Sequence, residues 1–288
     1  MRARAAHVSR IGRNTFVVLL AGLFALAAHQ GWGEDLAGLV EIQSGDLPVI
    51  ISAPHGGTLE VPDVPPRKGE GMPKGARGFF AGRDTGAEEL AHVVSAAIEH
   101  RFHRKPYAVV ARSHRKFIDF NRPPNIAYED PDAKPVYDAY HNALKEFCSQ
   151  IHRRFGEGLL LDLHGQGSDR RKVFRGTQDG KTVSLLQQRF GDSAVTGSTS
   201  LLGLLKSQGW SVHPDPLDGK EQSGFRGGYI VSTYGKPDVG MDAIQLEFGM
   251  DYRTAAARAA TADTLTEALV EYSVDYLNVL PAEAESRK

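Results

Sequence analysis

The chain has 288 residues, 41% of them hydrophobic and 24% charged, a globular composition that excludes a disordered or collagen-like polymer. Its 34 basic and 35 acidic residues leave no overall basic field for nucleic acid. One cysteine, Cys148, excludes an intramolecular disulfide framework and an all-cysteine metal module, so any metal must be held by histidines and carboxylates.

Residues 1–27 read as a secretory signal peptide. Arg2, Arg4, Arg10 and Arg13 make a basic start, Phe16 to Ala28 is an apolar run, and Ala25-Leu26-Ala27 offers a small-x-small cleavage site. The run is too short for an ordinary membrane span. Cleavage after Ala27 removes four arginines and shifts the net charge from −1 to −5, leaving an extracytoplasmic protein, periplasmic or secreted, with no stable membrane span.

One folded domain is expected over 36–280, with 281–288 as a disordered polar tail. Leu39 to Gln43 and Pro48 to Ala53 read as strands, and the second runs straight into Pro54-His55-Gly56-Gly57. Residues 60–83, rich in proline and glycine, form a long surface loop. Helical periodicity extends from Asp84 to Arg104, and Tyr107 to Ala111 is a buried strand. An amphipathic helix follows at Val136 to Phe155, then an apolar strand at Leu159 to Leu161 that ends in Asp162-Leu163-His164-Gly165. Val183 to Phe190 and Ser200 to Gln208 are shorter helical patterns, with a short strand near Trp210 to Val212. Ala243 to Phe248 is another strand, and Arg253 to Leu277 a long closing helix. Strands alternating with helices imply a single-domain three-layer α/β/α sandwich with a mixed, largely parallel sheet.

Polar groups collect where the apolar strands end, the edge at which open α/β sheets bind ligands. His55 follows PVIISAP, His164 follows LLLDL and Glu247 closes AIQLE. Asp162 lies on the same side of its strand as His164 by period-2 alternation, suited to orienting a ligating imidazole. Each alone is weak evidence, since a single strand-end histidine is more often structural.

Six motifs extend the reading. SAPHGG (52–57), RDTGAEELA (83–91), RKFIDFNRP (115–123), DLHGQG (162–167), FRGGYIVSTYG (225–235) and AIQLEFG (243–249) occur in the order found in N-formylglutamate amidohydrolases, which the chain resembles. It is similar also to poly-γ-glutamate hydrolases, and both families are related to the zinc carboxypeptidase architecture. The resemblance implies one zinc held by His55, His164 and a carboxylate, either Asp84 or, nearer His55 in sequence, Glu60. Asp84 is favoured, although an Asp before an amphipathic helix is commonly its N-cap. Glu247 matches the family's general acid/base.

Arg115, Asn121 and Arg122 fit the binding of a substrate carboxylate, with Arg122 also suited to polarising a carbonyl. Asp119 is expected to hold one of these arginines in place. Gly227-Gly228 could present backbone N–H groups to an anion. Where the family carries a Thr-Arg-His-Tyr-Gly type of segment, this chain has Val231-Ser232-Thr233-Tyr234-Gly235. Hydroxyls replacing a basic pair, together with a secretory signal, point away from N-formylglutamate itself. Arg226, Arg170, Arg171, Lys172 and Arg175 offer an alternative basic rim. The expected activity is a secreted zinc-dependent hydrolase of an amide bond in an N-acyl (formyl) amino acid, γ-glutamyl or peptide substrate carrying a carboxylate. The competing readings are a carboxypeptidase-like or cell-wall peptidase, and a metal-free secreted binding protein that kept the fold.

Overall fold

The computed structural model describes residues 38–72 and 78–282. The predicted signal peptide and residues 283–288 of the predicted tail lie outside the described residues. The strands are β1 (Val40–Gln43), β2 (Val49–Ala53), β3 (Tyr107–Ala111), β4 (Gly158–Gly165), β5 (Lys172–Gly176), β6 (Ser211–His213) and β7 (Met241–Phe248). The main helices are α1 (Ala87–Phe102), α2 (Lys134–Phe155), α3 (Ser184–Phe190), α4 (Leu201–Ser207), α5 (Tyr229–Tyr234) and α6 (Arg258–Tyr272).

The strands form one mixed sheet in the order β1-β3-β2-β4-β7-β5-β6. Its centre is parallel: β2 pairs with β3 on one side and β4 on the other, and β4 pairs with β7. The outer pairings β1–β3 and β5–β7 are antiparallel. Residues 49–53, 107–111 and 158–164 are buried on both faces, as a sheet sandwiched between helices requires.

Alternation along each strand divides the apolar side chains between two cores. Val49, Ile51, Leu159, Leu161, Ile244 and Leu246 pack with α1 and α6, whereas Ile50, Val109, Leu160 and Ala243 pack with α2 and α5. The second face changes character toward the C-terminal strand ends. Leu160 is followed by Asp162 and His164, Ala243 by Gln245 and Glu247, and Ile50 by Ser52. A column of buried polar residues thus continues the apolar face beneath α2 and α5. From β2 the sheet order runs to β3 on one side and β4 on the other, so the chain reverses its winding between β2 and β4, where a crevice opens at the carboxyl ends.

Two elements differ from the sequence reading. Lys172 and Arg175 disguise β5, yet Arg175 is buried because Nε binds Glu221 Oε1 at 3.1 Å. The closing helix is interrupted: Thr254 adopts an extended backbone after a short turn at Met250–Arg253, and its Oγ1 accepts the Ala257 N–H as the chain re-enters α6. No helix among the described residues is long and apolar enough to cross a membrane.

Candidate active site

His55 leaves β2 two residues beyond Ala53, and His164 lies within β4. Their Nδ1 atoms are 3.1 Å apart, and Asp84 Oδ2 lies 3.2 Å from His164 Nδ1 and 3.5 Å from His55 Nδ1. These three buried residues form a group able to hold a metal ion, with all ligand atoms within 4.8 Å of one another. Asp84 is brought here by its backbone, whose N–H donates to His55 O at 2.9 Å, while Gly165 N–H donates to its Oδ2 at 2.9 Å. It is not a helix cap: the N-cap position of α1 is Gly86, at φ 86°. Glu60 is 78% exposed and pairs with Lys116, away from the group.

Each imidazole is held from behind by its own carboxylate. His55 Nε2 donates to Asp119 Oδ1 at 2.7 Å, and His164 Nε2 donates to Asp162 Oδ2 at 2.8 Å. With Nε2 donating to its carboxylate, each ring turns Nδ1 to the shared point, where a metal ion would take its lone pair. The supports are themselves anchored. Ser52 Oγ donates to Asp162 Oδ1 at 2.7 Å, and Arg115 Nε and Nη2 donate to Asp119 Oδ2 at 2.9 and 2.8 Å.

The electrostatics follow from this packing. Burial opposes ionisation of Asp84, but hydrogen bonds from His164 and His55 outweigh it and hold the carboxyl well below its ordinary range. Burial likewise opposes the Asp119 charge, and the Arg115 guanidinium and His55 overcome it. His164 is lowered by burial but raised more strongly by the adjacent Asp162, with a net upward shift.

Glu247 is the register partner of His164 on the neighbouring strand. Gln245 Nε2 donates to Glu247 Oε1 at 2.8 Å. Burial pushes the Glu247 carboxyl up to about 7, with the His164 charge opposing and Asp84 adding to the rise. Above these residues lies a cavity of about 310 Å³ lined by His55, Asp84, Arg115, Asn121, Arg122, His164 and Glu247 among others. Phe80 stacks over the Arg115 guanidinium, 4.9 Å from its ring centroid, on the cavity wall.

The remaining predicted groups fall out unevenly. Arg115, Asn121 and Arg122 reach the cavity, but Arg115 is committed to Asp119, and Arg122 donates to Gly78 O at 3.0 Å and Asn121 O at 2.9 Å. Arg226 lines a neighbouring cavity instead and is ion-paired with Asp179. The proposed rim is not formed: Arg175 is buried against Glu221, Arg170 pairs with Asp251, and neither they, Arg171 nor Lys172 lines the cavity over the histidines. Two N–H groups at Gly227-Gly228 and the α5 start are also spoken for. Gly228 N–H donates to Gln245 Oε1 at 2.8 Å and Ile230 N–H to Asn121 Oδ1 at 2.9 Å.

Sequence reasoning missed Arg253. Its buried guanidinium donates to Phe248 O at 3.0 Å, to Gln166 O at 3.2 Å and to Thr85 O. It therefore ties together the chain beside Asp84, beyond His164 and beyond Glu247. Its signal in the sequence is slight, an arginine five residues past a strand end.

The site is thus a His–Asp–His group in the central crevice of a mixed sheet, with a buried glutamate alongside. Residues 130–252 match the N-formylglutamate amidohydrolase family model. The fold is similar to the N-formylglutamate amidohydrolase of Ralstonia eutropha JMP134, with TM-score 0.52 and 17% identity over 83% of this chain and 98% of that one. It is similar also to a gene product of Agrobacterium tumefaciens, with TM-score 0.55 and 15% identity over 85% of this chain and 98% of that one. At such identities the likeness is one of fold. Comparison with curated protein sequences finds no match.

Proposed function

We propose that the protein is a zinc-dependent amidohydrolase, exported from the cytoplasm, that cleaves an amide bond in an N-acyl amino acid, γ-glutamyl or short peptide substrate carrying a carboxylate. The observation that carries this reading is the pair of imidazoles held by Asp119 and Asp162 so that both Nδ1 atoms meet Asp84. The donor set suits zinc. Two nitrogens and a carboxylate oxygen are the usual ligands of catalytic sites, and neighbouring donors on a tetrahedral ion stand about 3.3 Å apart for bonds of ~2.0 Å. The separations of 3.1, 3.2 and 3.5 Å match that spacing. Zinc held there would lower the pKa of a water and polarise the scissile carbonyl.

The protein's own residues supply the rest. Glu247, with a carboxyl near 7, can accept a proton from the attacking water at its Oε atoms and return it to the leaving nitrogen. Gln245 fixes one of those oxygens, and Glu247 lines the cavity. Arg122 and Asn121 bind the substrate carboxylate, and the Arg122 charge aids the developing negative charge on the carbonyl oxygen. Arg115 acts mainly through Asp119, keeping His55 in position. Export rests on the basic start and apolar run of residues 1–27.

The test is metal analysis of purified protein, followed by assay of zinc-loaded enzyme on formyl-amino acids and γ-glutamyl peptides. One zinc per chain, lost in His164→Ala, with hydrolysis of at least one amide substrate, is expected. Full zinc retention in both His55→Ala and His164→Ala refutes the assignment.

A further inference from the structure

A second cavity, of about 430 Å³, adjoins the first and shares Asn121, Arg122, Gly224, Gly227 and Gly228 with it. Its outer wall carries Gln178 and Lys181, and its floor includes Tyr229 and Ser232 of α5. None of the side chains lining it is acidic. Three cationic side chains reach it: Arg122 at the boundary, Arg226, neutralised by Asp179, and Lys181, which has no ion pair among the described residues.

The outer wall is held in a costly conformation. Gln178 and Asp179 are consecutive non-glycine residues in the left-handed region, at φ 52° and 54°. Such residues persist only where their surroundings over-determine them, and they gather at binding sites. Here the surroundings are explicit. The buried Glu221 carboxylate accepts the N–H groups of Thr177 and Asp179 at 2.9 Å and the Thr177 hydroxyl at 2.5 Å, and is neutralised by Arg175. Gln178 N–H donates to Arg226 O at 2.6 Å, locking this turn to the segment that partitions the two cavities. A buried ion pair thus serves a turn whose outward products are the placement of Gln178 and Lys181.

Resting on the amidohydrolase reading above, we infer that this second chamber is a specificity subsite for an anionic extension of the substrate. The residue nearest the scissile amide is held at Asn121 and Arg122, and the substrate continues past them to place a second carboxylate at Lys181. A single N-formyl amino acid fits within the first cavity and leaves the second unused. The substrate class is therefore an acylated peptide or γ-linked oligomer of at least two residues whose second residue carries a carboxylate. The carboxylate of that second residue is the group that no contact in the first cavity would read.

The experiment uses the zinc-loaded Glu247→Gln protein, in which turnover is strongly reduced, titrated by calorimetry with N-formylglutamate, with α- and γ-linked N-formylglutamylglutamate, and with N-formylglutamylalanine amide, whose extension is uncharged. One of the two dipeptides should bind roughly tenfold tighter than N-formylglutamate, the scale of one charge-assisted hydrogen bond. The uncharged extension should gain less. Adding Lys181→Met should collapse the preference for the dipeptide over the single residue toward unity. Ser232→Phe, which fills the chamber from α5, should do the same without altering charge. Equal affinity for short and long ligands, or a preference that survives both substitutions, overturns the inference. If wild-type enzyme hydrolyses N-formylglutamate while the dipeptides gain nothing, the subsite falls and the amidohydrolase reading stands. If no formyl or γ-glutamyl compound is bound or hydrolysed, both fall.

Discussion

Asp119→Asn separates the two tasks of one buried carboxylate. Oδ1 accepts from His55 Nε2 at 2.7 Å and from Asn121 N–H at 3.1 Å, while Oδ2 serves Arg115. An amide has one acceptor oxygen. If that oxygen keeps His55 and Asn121, its NH₂ faces the Arg115 guanidinium, donor against donor. Breaking a buried ion pair on one side costs about 3–5 kcal/mol. Asp84 Oδ1 remains 3.8 Å from Arg115 Nη1 as a residual counter-charge, so the lower end, about 3 kcal/mol, is expected. For a chain of this size that lowers the melting temperature by roughly 6–12 °C. The neutral amide also supports the His55 imidazole less strongly, and loss of such a support weakens metal affinity by about 10–100-fold. Thermal denaturation reads the first effect and competition with a zinc chelator the second. The double substitution Arg115→Met with Asp119→Asn then divides them. Removing both charges should recover most of the stability, because the uncompensated guanidinium is gone, while zinc affinity stays low. Recovery of zinc affinity along with stability would show that Asp119 acts through general electrostatics rather than by holding His55.

Other outcomes follow from the same geometry. Glu247→Gln should keep its zinc and its fold but lose about 10²-fold or more in kcat, measured beside metal content. Because Glu247 works as a base only when ionised, wild-type kcat/KM should rise with pH along an acid limb at or below about 7, and that limb should vanish in the variant. Arg253→Met removes hydrogen bonds to three backbone carbonyls, of which Phe248 O keeps the Gln166 N–H while buried Gln166 O loses its guanidinium donor at about 1–3 kcal/mol, and should lower both melting temperature and kcat although Arg253 lines neither cavity. A variant that melts earlier yet turns over normally would reduce Arg253 to a purely structural tie. Asp242 gives a pH signature away from the site. Burial raises its carboxyl to about 7 despite N–H donors from Leu186 and Leu185. The folded state therefore binds this proton more tightly than the unfolded chain. Its stabilisation is full below pH ~4 and is lost as pH rises through about 7, at up to about 1.4 kcal/mol per pH unit. Asp242→Asn should flatten that slope in denaturant titrations between pH 4 and 8, and an unchanged slope would assign it to other groups.

How far the site could be read from sequence depended on where each residue sat relative to a periodic element. Asp162 and His164 were legible as a pair because strand alternation fixes which residues share a face, and the same rule puts Gln245 beside Glu247. Adjacency of β4 and β7 then aligns His164 with Glu247, a relation that periodicity within one strand cannot supply. Asp84 and Glu60 were both carboxylates in irregular chain, so spacing could not separate them. What does so is a backbone bond, Asp84 N–H to His55 O, formed only when the loop returns to the end of β2. The arginines were the least legible. Arg115, Arg175, Arg226 and Arg253 look alike in sequence, and each has its use decided by a distant partner: Asp119, Glu221, Asp179 and three carbonyl oxygens respectively. A guanidinium with five donors satisfies whatever acceptors the fold delivers. Its role is therefore a property of the packing, whereas that of a histidine between a carboxylate and an open cavity is already half written by the strand that carries it.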